Sequence, residues 1–230
     1  MTQPLEKPKP GQTSAENHTP HREKAVRQIL IDTGAFLVDS HFVLSSGKHA
    51  DSYVNKDAVY PHTEQTRELC RMWAQDFAES GVEVVVGPQL GAIVLANNTA
   101  SELTQITGKD VLAIPAEKDG EDFKLGRGYD QLVKGGKRVL VVEDVVTTGK
   151  SVKKVVDLVR RYGGEVIGVG ILCNRGAVMP QDIGVEETDT LLNLDLPSWI
   201  PEECIPCRGG VSIDTRVGHG KKYLEGKATK

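Results

Sequence analysis

One thirteen-residue stretch, 139–151, constrains the fold and the chemistry of this chain more than any other. It opens with four apolar residues, three of them β-branched, which is typical of a strand buried on both faces. Two acids, Glu143 and Asp144, follow, and a short turn rich in Thr, Gly and Ser comes next. From Lys150 onward valines recur at helical spacing. The stretch therefore predicts a strand, an acidic edge, a hydroxyl-rich turn and a helix N-terminus in succession.

Such a turn can bind an anion, because the first amides of a helix lack helical partners and the helix dipole is positive there. The predicted phosphate-binding residues are Val145, Val146, Thr147, Thr148, Gly149, Lys150 and Ser151. Glu143 and Asp144 would repel a phosphate, so we expect them to hold neutral hydroxyls or a cation beside it. A ribose 5-phosphate with Mg²⁺ offers all three groups. The alternative is an ordinary strand-to-helix turn. A Walker A loop is excluded, because G-x-x-x-x-G-K-[ST] does not occur.

A second glycine-bearing loop also follows a predicted strand and opens a predicted helix. Its residues are Gly87, Pro88, Gln89, Leu90 and Gly91. Glycines let the backbone approach an anion closely, although a simple strand-to-helix turn would look the same. Two phosphate-ready loops at the ends of parallel strands fit a ligand that carries phosphates at both ends.

The order of predicted elements favours an α/β fold with a doubly wound, mostly parallel sheet, in which ligands bind at the carboxyl ends of the strands. The predicted elements are a helix over 22–31, a short β-region over 36–56, a helix over 63–80, a strand over 82–87, a helix over 91–103, a strand over 111–115, the strand and helix of the opening stretch, a strand over 166–172 and an edge strand over 189–194. A charged, glycine-bearing loop is expected over 116–136. Residues 1–21 are polar and proline-rich, which predicts a disordered tail.

Composition excludes several functional classes. The chain has 230 residues, a net charge of −4 and a pI near 5.9, so no bulk attraction to nucleic acid or to an anionic membrane is expected. No apolar run approaches the roughly 18 residues of a membrane span. The N-terminus lacks the apolar core of a signal peptide, and four cysteines in a chain of this length do not suggest a disulfide scaffold. A cytoplasmic location is therefore expected.

The stretch 139–151 resembles the phosphoribosyl-pyrophosphate (PRPP) signature of the type I phosphoribosyltransferases. The resemblance implies the type I phosphoribosyltransferase fold, with a small N-terminal hood over about 36–60. It also implies that the loop 87–91 holds the pyrophosphate of PRPP. The domain is expected to span 22–210, and 211–230 is expected to be a C-terminal tail.

Further residues resemble the orotate phosphoribosyltransferases. The segment from Phe42 to Tyr53 is similar to their hood, which shapes the pocket around the base, and 196–207 is similar to a C-terminal segment found in many of them. Arg175 stands where those enzymes carry an arginine that meets orotate, and a guanidinium can bind a carboxylate through two parallel hydrogen bonds. The resemblance implies an orotate site formed by Thr147, Arg175, Tyr53 and Lys48.

The activity implied is transfer of phosphoribose from PRPP to N1 of orotate, which gives orotidine 5′-monophosphate and pyrophosphate. Glu143 and Asp144 would hold the ribose hydroxyls directly or through metal-bound water. Mg²⁺ would be bound through PRPP and water near Asp144, with no direct protein ligand. The resemblance also implies a homodimer that acts on small molecules. Two alternatives stay open: a phosphoribosyltransferase for another purine or pyrimidine base, and a PRPP-binding regulator without catalysis.

The chain departs from the family pattern before the signature. Many orotate enzymes carry R-K-x-x-K-x-H-G in a loop that closes over PRPP, and this sequence lacks it. Lys118, Lys124 and Arg127 are the cations available there to steady the leaving pyrophosphate, although a solvated charged loop would look the same. The loop 116–136 is expected to act as a mobile lid.

Cys204 and Cys207 form a C-x-x-C pair. A zinc site needs two more ligands, and no second C-x-x-C pair is present. Cys173 or His219 could supply a ligand only if the fold brought it near. The sequence favours a structural or incidental role, with redox and metal-binding roles as alternatives.

Overall fold

A six-stranded sheet lies at the centre of the part of the chain that the computed structural model describes, residues 20–44 and 46–228. The strands are β1 (Phe36–Leu37), β2 (Phe42–Val43), β3 (His49–Ala50), β4 (Tyr53–Val54), β5 (Val84–Pro88), β6 (Leu112–Asp119), β7 (Asp122–Lys124), β8 (Arg138–Val146), β9 (Glu165–Asn174), β10 (Thr188–Asn193) and β11 (Ser198–Trp199). The helices are α1 (Pro20–Asp32), α2 (Thr63–Asp76), α3 (Gly91–Thr107), α4 (Lys150–Arg161), α5 (Pro180–Ile183), α6 (Ile205–Arg208) and α7 (Gly220–Ala228).

The central sheet has the strand order β10-β9-β8-β5-β6-β7. Its strands run parallel, except that β7 pairs antiparallel with β6 at one edge. β10 lies at the other edge, where the sequence predicts an edge strand. The doubly wound, mostly parallel sheet expected from the order of elements is therefore confirmed.

Strand β8 shows why its sequence is almost entirely apolar. Leu140 and Val142 enter one core together with residues of α1, α2 and α3, whereas Val139 and Val141 enter a second core with the valines of α4. Successive side chains of a strand point to opposite faces, so a strand covered by helices on both faces needs apolar residues at every position.

Helix α2 is held on the sheet by its tryptophan. The Trp73 side chain is fully buried, and its indole Nε1 donates a hydrogen bond to the Asp189 carbonyl at 3.1 Å. A Cβ atom at Gly170 in β9 would lie 3.0 Å from the indole ring. The glycine therefore lets the helix approach the sheet closely.

Two small sheets form the hood. β2 and β3 pair antiparallel, β11 adds to β3, and β1 pairs with β4. The described part of 211–230, expected to be a tail, packs on this hood. The Asp214 amide donates to the His41 carbonyl at 2.7 Å, and the His219 amide donates to the Val43 carbonyl at 2.8 Å. These contacts are backbone hydrogen bonds, which leave little pattern in the sequence.

Other boundaries also differ from the sequence-based ones. Helix α1 begins at Pro20, and the rest of the expected disordered tail lies outside the described residues. β8 continues through both acids to Val146. The region 116–136 is not simply a loop, because β6 and β7 form a hairpin within it. Phe123 and Leu125 are buried there and Gly120 has φ 64°, so a charged sequence still supports a paired turn.

No described helix is long and apolar enough to cross a membrane.

Candidate active site

The two phosphate-ready loops lie side by side, because β5 and β8 are neighbours in the sheet and their carboxyl ends share an edge. A cleft of about 220 Å³ separates them. Its lining residues are Lys56, Pro88, Gln89, Leu90, Gly91, Lys118, Phe123, Glu143, Asp144, Val145 and Ser151. A second cleft of about 170 Å³ is lined by Glu143 and by 145–152. The two clefts share Glu143, Val145 and Ser151, so together they form a continuous path along the acids and the signature turn.

Asp144 lies at the centre of this site and is buried, with 6% of its surface exposed. Its Oδ2 lies 2.8 Å from the Lys56 ammonium and accepts a hydrogen bond from the Tyr60 hydroxyl at 3.3 Å. Its Oδ1 accepts from the Val145 amide at 2.6 Å. A Cβ atom at Gly91 would overlap the Asp144 carboxylate. The glycine that opens α3 is therefore required by the acid of the neighbouring strand.

Glu143 is also buried, and its Oε1 accepts a hydrogen bond from the Asp144 amide at 3.2 Å. Burial raises the pKa of the Glu143 carboxyl to about 8, and the nearby charge of Asp144 adds to the shift. Burial and the same charge also raise the pKa of the Tyr60 hydroxyl well above its ordinary value. Burial lowers the pKa of Lys56, but its hydrogen bond and charge attraction to Asp144 outweigh burial and leave the pKa raised.

The signature turn depends on two glycines. Gly149 has φ 73°, and a Cβ atom there would lie 2.7 Å from the Ile183 side chain. A Cβ atom at Gly176, in the chain after β9, would overlap the Thr147 carbonyl oxygen. The turn is therefore packed closely against Ile183 and Gly176, whereas Thr147 and Thr148 are exposed to solvent.

The other loop is held by Gln89. Its amide donates to the Ala116 carbonyl at 2.9 Å, and its side-chain Oε1 accepts from the Lys118 amide at 3.2 Å. The Gln89–Leu90 peptide is cis, and Leu90 is 82% exposed. The two hydrogen bonds of Gln89 fix the loop to β6 and bring the Lys118 backbone to the rim of the cleft.

Arg175 lies at the end of β9 and lines a larger cleft of about 770 Å³ next to the signature turn. Its Nε is buried, and no hydrogen-bond partner for it is found among the described residues. A buried donor without a partner is costly, so this atom fits a site that an anionic ligand completes.

The comparisons with known proteins agree with this geometry. A family model described as "Phosphoribosyl transferase domain" matches residues 57–192. An orotate phosphoribosyltransferase of Pelotomaculum thermopropionicum is 40% identical over 185 residues, which cover 80% of this chain and 90% of that protein. One from Thermotoga maritima is 38% identical over 197 residues, which cover 86% of this chain and all of that protein.

The chain belongs to the orotate phosphoribosyltransferase family. A solved structure of the Mycobacterium tuberculosis orotate phosphoribosyltransferase with Fe(III) dicitrate has a TM-score of 0.60 and 29% identity, and covers 76% of this chain and 97% of that one. A structure of the same enzyme in complex with PRPP has a TM-score of 0.57 and 27% identity at the same coverage. The type I phosphoribosyltransferase fold expected from the signature is confirmed.

Lys118, Lys124 and Arg127 do not share one position. Lys118 lines the cleft, and its Nζ lies 5.9 Å from the centroid of the Phe123 ring. The Lys124 ammonium pairs with Asp119 at 3.3 Å, and Arg127 Nε pairs with Glu117 at 2.8 Å. In this conformation neither Lys124 nor Arg127 is among the residues lining the cleft.

The four expected orotate-binding residues are only partly brought together. Thr147 and Arg175 are neighbours through the contact of Gly176 with the Thr147 carbonyl. Tyr53 stacks on Phe42 at 5.5 Å between ring centroids, within the hood. Lys48 is exposed in the turn that joins β2 and β3. Neither Tyr53 nor Lys48 lines the clefts beside the signature turn.

The sequence interpretation missed Lys56 and Tyr60, two side chains that contact the Asp144 carboxylate. They follow β4 in a region without helical or strand periodicity, so no pattern distinguishes them from other polar loop residues. The one available signal was electrostatic: two adjacent acids at a buried strand end call for a nearby cation.

The buried Glu143 carboxyl predicts a pH-dependent stability. The folded protein keeps this proton up to about pH 8, whereas an unfolded glutamate releases it near its ordinary pKa of 4.5. The unfolded state therefore binds fewer protons across this window, and the free energy of unfolding falls as pH rises. Glu143→Gln removes the effect, so we expect the variant to gain on the order of a few kcal/mol over the wild type between about pH 5 and about pH 9.

Urea unfolding of both proteins in metal-free buffer measures this difference. Glu79→Gln, an exposed carboxylate, is the matched control and should follow the wild type at every pH. Parallel pH profiles for the wild type and Glu143→Gln would contradict a protonated Glu143.

Proposed function

We propose that this protein transfers phosphoribose from PRPP to N1 of orotate, giving orotidine 5′-monophosphate and pyrophosphate in the de novo synthesis of UMP. The observation that carries the proposal is the pair of joined clefts that connects the two phosphate-ready loops past a buried pair of acids. PRPP carries a phosphate at one end, a pyrophosphate at the other and two ribose hydroxyls between them. The orotate phosphoribosyltransferases that the chain resembles are similar over most of its length.

PRPP would lie along the two joined clefts. The signature turn 145–151 would hold the 5′-phosphate, chiefly through the amides at the start of α4, because the first amides of a helix lack helical partners and lie at the positive end of its dipole. The loop 87–91 would hold the pyrophosphate with its backbone. Glu143 and Asp144 lie between these loops and would accept hydrogen bonds from the ribose hydroxyls.

Bond cleavage at C1 of the ribose moves negative charge onto the pyrophosphate and leaves positive character on the sugar. Lys118 at the rim and Lys56 on the cleft wall would stabilise the first charge. The Asp144 carboxylate would stabilise the positive character on the sugar. N1 of orotate can attack as an anion, so the transfer needs no strong general base.

The same acids fit a magnesium site, because carboxylate oxygens beside phosphate oxygens are the environment this ion prefers. We propose that Mg²⁺ is bound through PRPP and through water at Asp144, with no direct protein ligand, and that it would neutralise pyrophosphate charge there. Lys56 fixes the orientation of the Asp144 carboxylate toward such a ligand.

We propose that Arg175 binds the carboxylate of orotate. Its buried Nε lacks a partner among the described residues, and a guanidinium matches a carboxylate in shape and charge. Thr147, which lies next to Gly176, would be the second contact. Tyr53 and Lys48 remain proposed contacts from the hood.

The segment 116–136, which contains part of the hairpin of β6 and β7, is the proposed lid. Lys124 and Arg127 are held there by exposed ion pairs, which contribute little to stability, so closing the lid over PRPP could exchange those partners for the pyrophosphate. Closure would keep water from the activated sugar. We also propose a homodimer in the cytoplasm that acts on small molecules, without a nucleic-acid or membrane partner.

A phosphoribosyl-transfer assay with different acceptor bases tests the function directly. The purified protein is incubated with PRPP and Mg²⁺ and with orotate, uracil or adenine, and the nucleotide products are measured by chromatography. We expect product with orotate and little with the other two. Asp144→Asn should keep the fold and lose about 10²-fold in turnover, the range of a lost transition-state interaction. Product from adenine or uracil alone, or none from any base, would contradict the proposal, as would turnover by the Asp144→Asn variant within a few-fold of the wild type.

The role of Arg175 is tested separately. Arg175→Ala should raise KM for orotate by at least about 30-fold, the lower end of a lost buried charge pair, with a much smaller effect on KM for PRPP. Arg161→Ala, an exposed arginine of α4, is the matched control and should change neither. Equal damage to both substrates would indicate a structural role for Arg175.

A further inference from the structure

A cluster of metal-ligating side chains lies outside the active site, between the hood and the C-terminal segment. It consists of His41, His49, Cys204 and Cys207, and their ligand atoms all lie within 4.8 Å of one another. His41 precedes β2, His49 begins β3, and the two cysteines flank the start of α6. Three separate segments of the chain therefore meet at this point. Two of them each bring one histidine, and the third brings both cysteines.

We propose that these four side chains bind one structural Zn²⁺ ion. Two thiolates and two imidazoles are a donor set typical of closed, four-coordinate zinc sites. Zinc bonds of about 2.0–2.1 Å to nitrogen and about 2.3 Å to sulfur place tetrahedral N and S ligands about 3.5 Å apart. His41 Nε2 lies 3.5 Å from Cys204 Sγ and 3.6 Å from Cys207 Sγ, and His49 Nδ1 lies 3.3 Å from Cys207 Sγ.

The two imidazoles are closer than a bound ion would hold them. His41 Nε2 and His49 Nδ1 lie 2.8 Å apart, whereas two nitrogens on a tetrahedral zinc lie about 3.3 Å apart. A movement of roughly half an ångström is sufficient, which is within the reach of a side-chain rotation. The metal replaces the direct contact between the rings.

Hydrogen bonding also prepares His41 to bind a metal. Its Nδ1 lies 2.7 Å from the Val211 carbonyl, which can only accept, so Nδ1 carries the proton and donates it. In the neutral ring, Nε2 then holds a lone pair that faces the cluster. This lone pair lies close to His49 Nδ1 and to both sulfurs, and a single cation at this point can bind all four ligand atoms. A backbone carbonyl that fixes the tautomer of a ligating histidine is a common feature of metal sites.

The surroundings of the Cys204 and Cys207 sulfur atoms also favour metal binding. The Cys207 amide donates to Cys204 Sγ at 3.3 Å, which stabilises negative charge on that sulfur. Neither of the two cysteines is in a disulfide. His41, His49 and Cys204 are buried, so the ion would be shielded from solvent on most sides, with Cys207 at the exposed edge. The sequence favours a structural or incidental role without a metal for Cys204 and Cys207. The geometry of the cluster favours metal binding instead.

Zinc would hold together a part of the protein that has little core of its own. β2, β3 and β11 are two residues long each, and such short strands are marginal without further support. The Tyr223 ring of α7 packs edge-on against His49 at 4.9 Å between centroids, so the C-terminal segment closes the site. The ion would join this segment to the hood, whose strand β4 leads to Lys56.

Metal content of the full-length protein tests the proposal. The protein is purified without chelator, its affinity tag is removed, and bound metals are measured by mass spectrometry. We expect one zinc per chain. Cys207→Ser and His41→Gln should each weaken zinc binding by at least about 100-fold, measured by competition with a chromophoric chelator. Cys70→Ala and His62→Gln, a cysteine and a histidine away from the cluster, should retain one zinc per chain.

Cobalt substitution provides a readout that does not depend on the variants folding. Co²⁺ added to the zinc-free wild type should give the d–d bands of a tetrahedral ion and a thiolate-to-cobalt charge-transfer band. Removal of zinc should lower the thermal unfolding midpoint of the wild type and leave that of Cys207→Ser unchanged. A chain without zinc that does not take up Co²⁺, a chain that holds iron in place of zinc, or a Cys204–Cys207 disulfide in the purified protein would overturn the proposal.

Discussion

The contact of the Asp144 carboxylate with Lys56 and Gly91 is the interaction on which the site depends. Asp144 lies near the carboxyl end of β8, Gly91 opens α3 after β5, and Lys56 follows β4 of the hood. One carboxylate therefore joins the signature strand, the pyrophosphate loop and the hood. A buried carboxylate with a cation partner is tolerated where an isolated one is not, so Lys56 is what allows two adjacent acids to lie at the end of a buried strand.

The parallel sheet explains why these parts meet. Parallel neighbours end at the same edge, and β5 and β8 are neighbours although a helix, two strands and a loop separate them in sequence. Each strand then delivers a loop and a helix N-terminus to that edge, which is where α/β proteins bind phosphates. The proposed zinc ion would act outside the central sheet, between the hood and the C-terminal segment.

Much of the fold and part of the site could be predicted from the sequence. The valine runs of β8 and α4 differ in period, and that difference alone separates strand from helix. The acids and the signature turn carry their chemistry in adjacent residues, so their role could be read locally. Lys56, Tyr60 and the histidines His41 and His49 could not, because their partners lie far away in sequence and are set by tertiary packing. The hairpin of β6 and β7 was hidden by charged residues, since Phe123 is the only buried residue of β7.

The coupling between Lys56 and Asp144 can be measured most directly by a double-mutant cycle on kcat/KM for PRPP. Lys56→Met, Asp144→Asn and the double variant are compared with the wild type, and Lys56→Met with Asp57→Asn is the control cycle, because Asp57 also contacts Lys56 but is exposed. If Lys56 acts through Asp144, the double variant should be far less impaired than the product of the single effects, with a coupling of about 1–3 kcal/mol, and the control cycle should be additive within about 0.5 kcal/mol. Additive effects of Lys56→Met and Asp144→Asn would contradict the account.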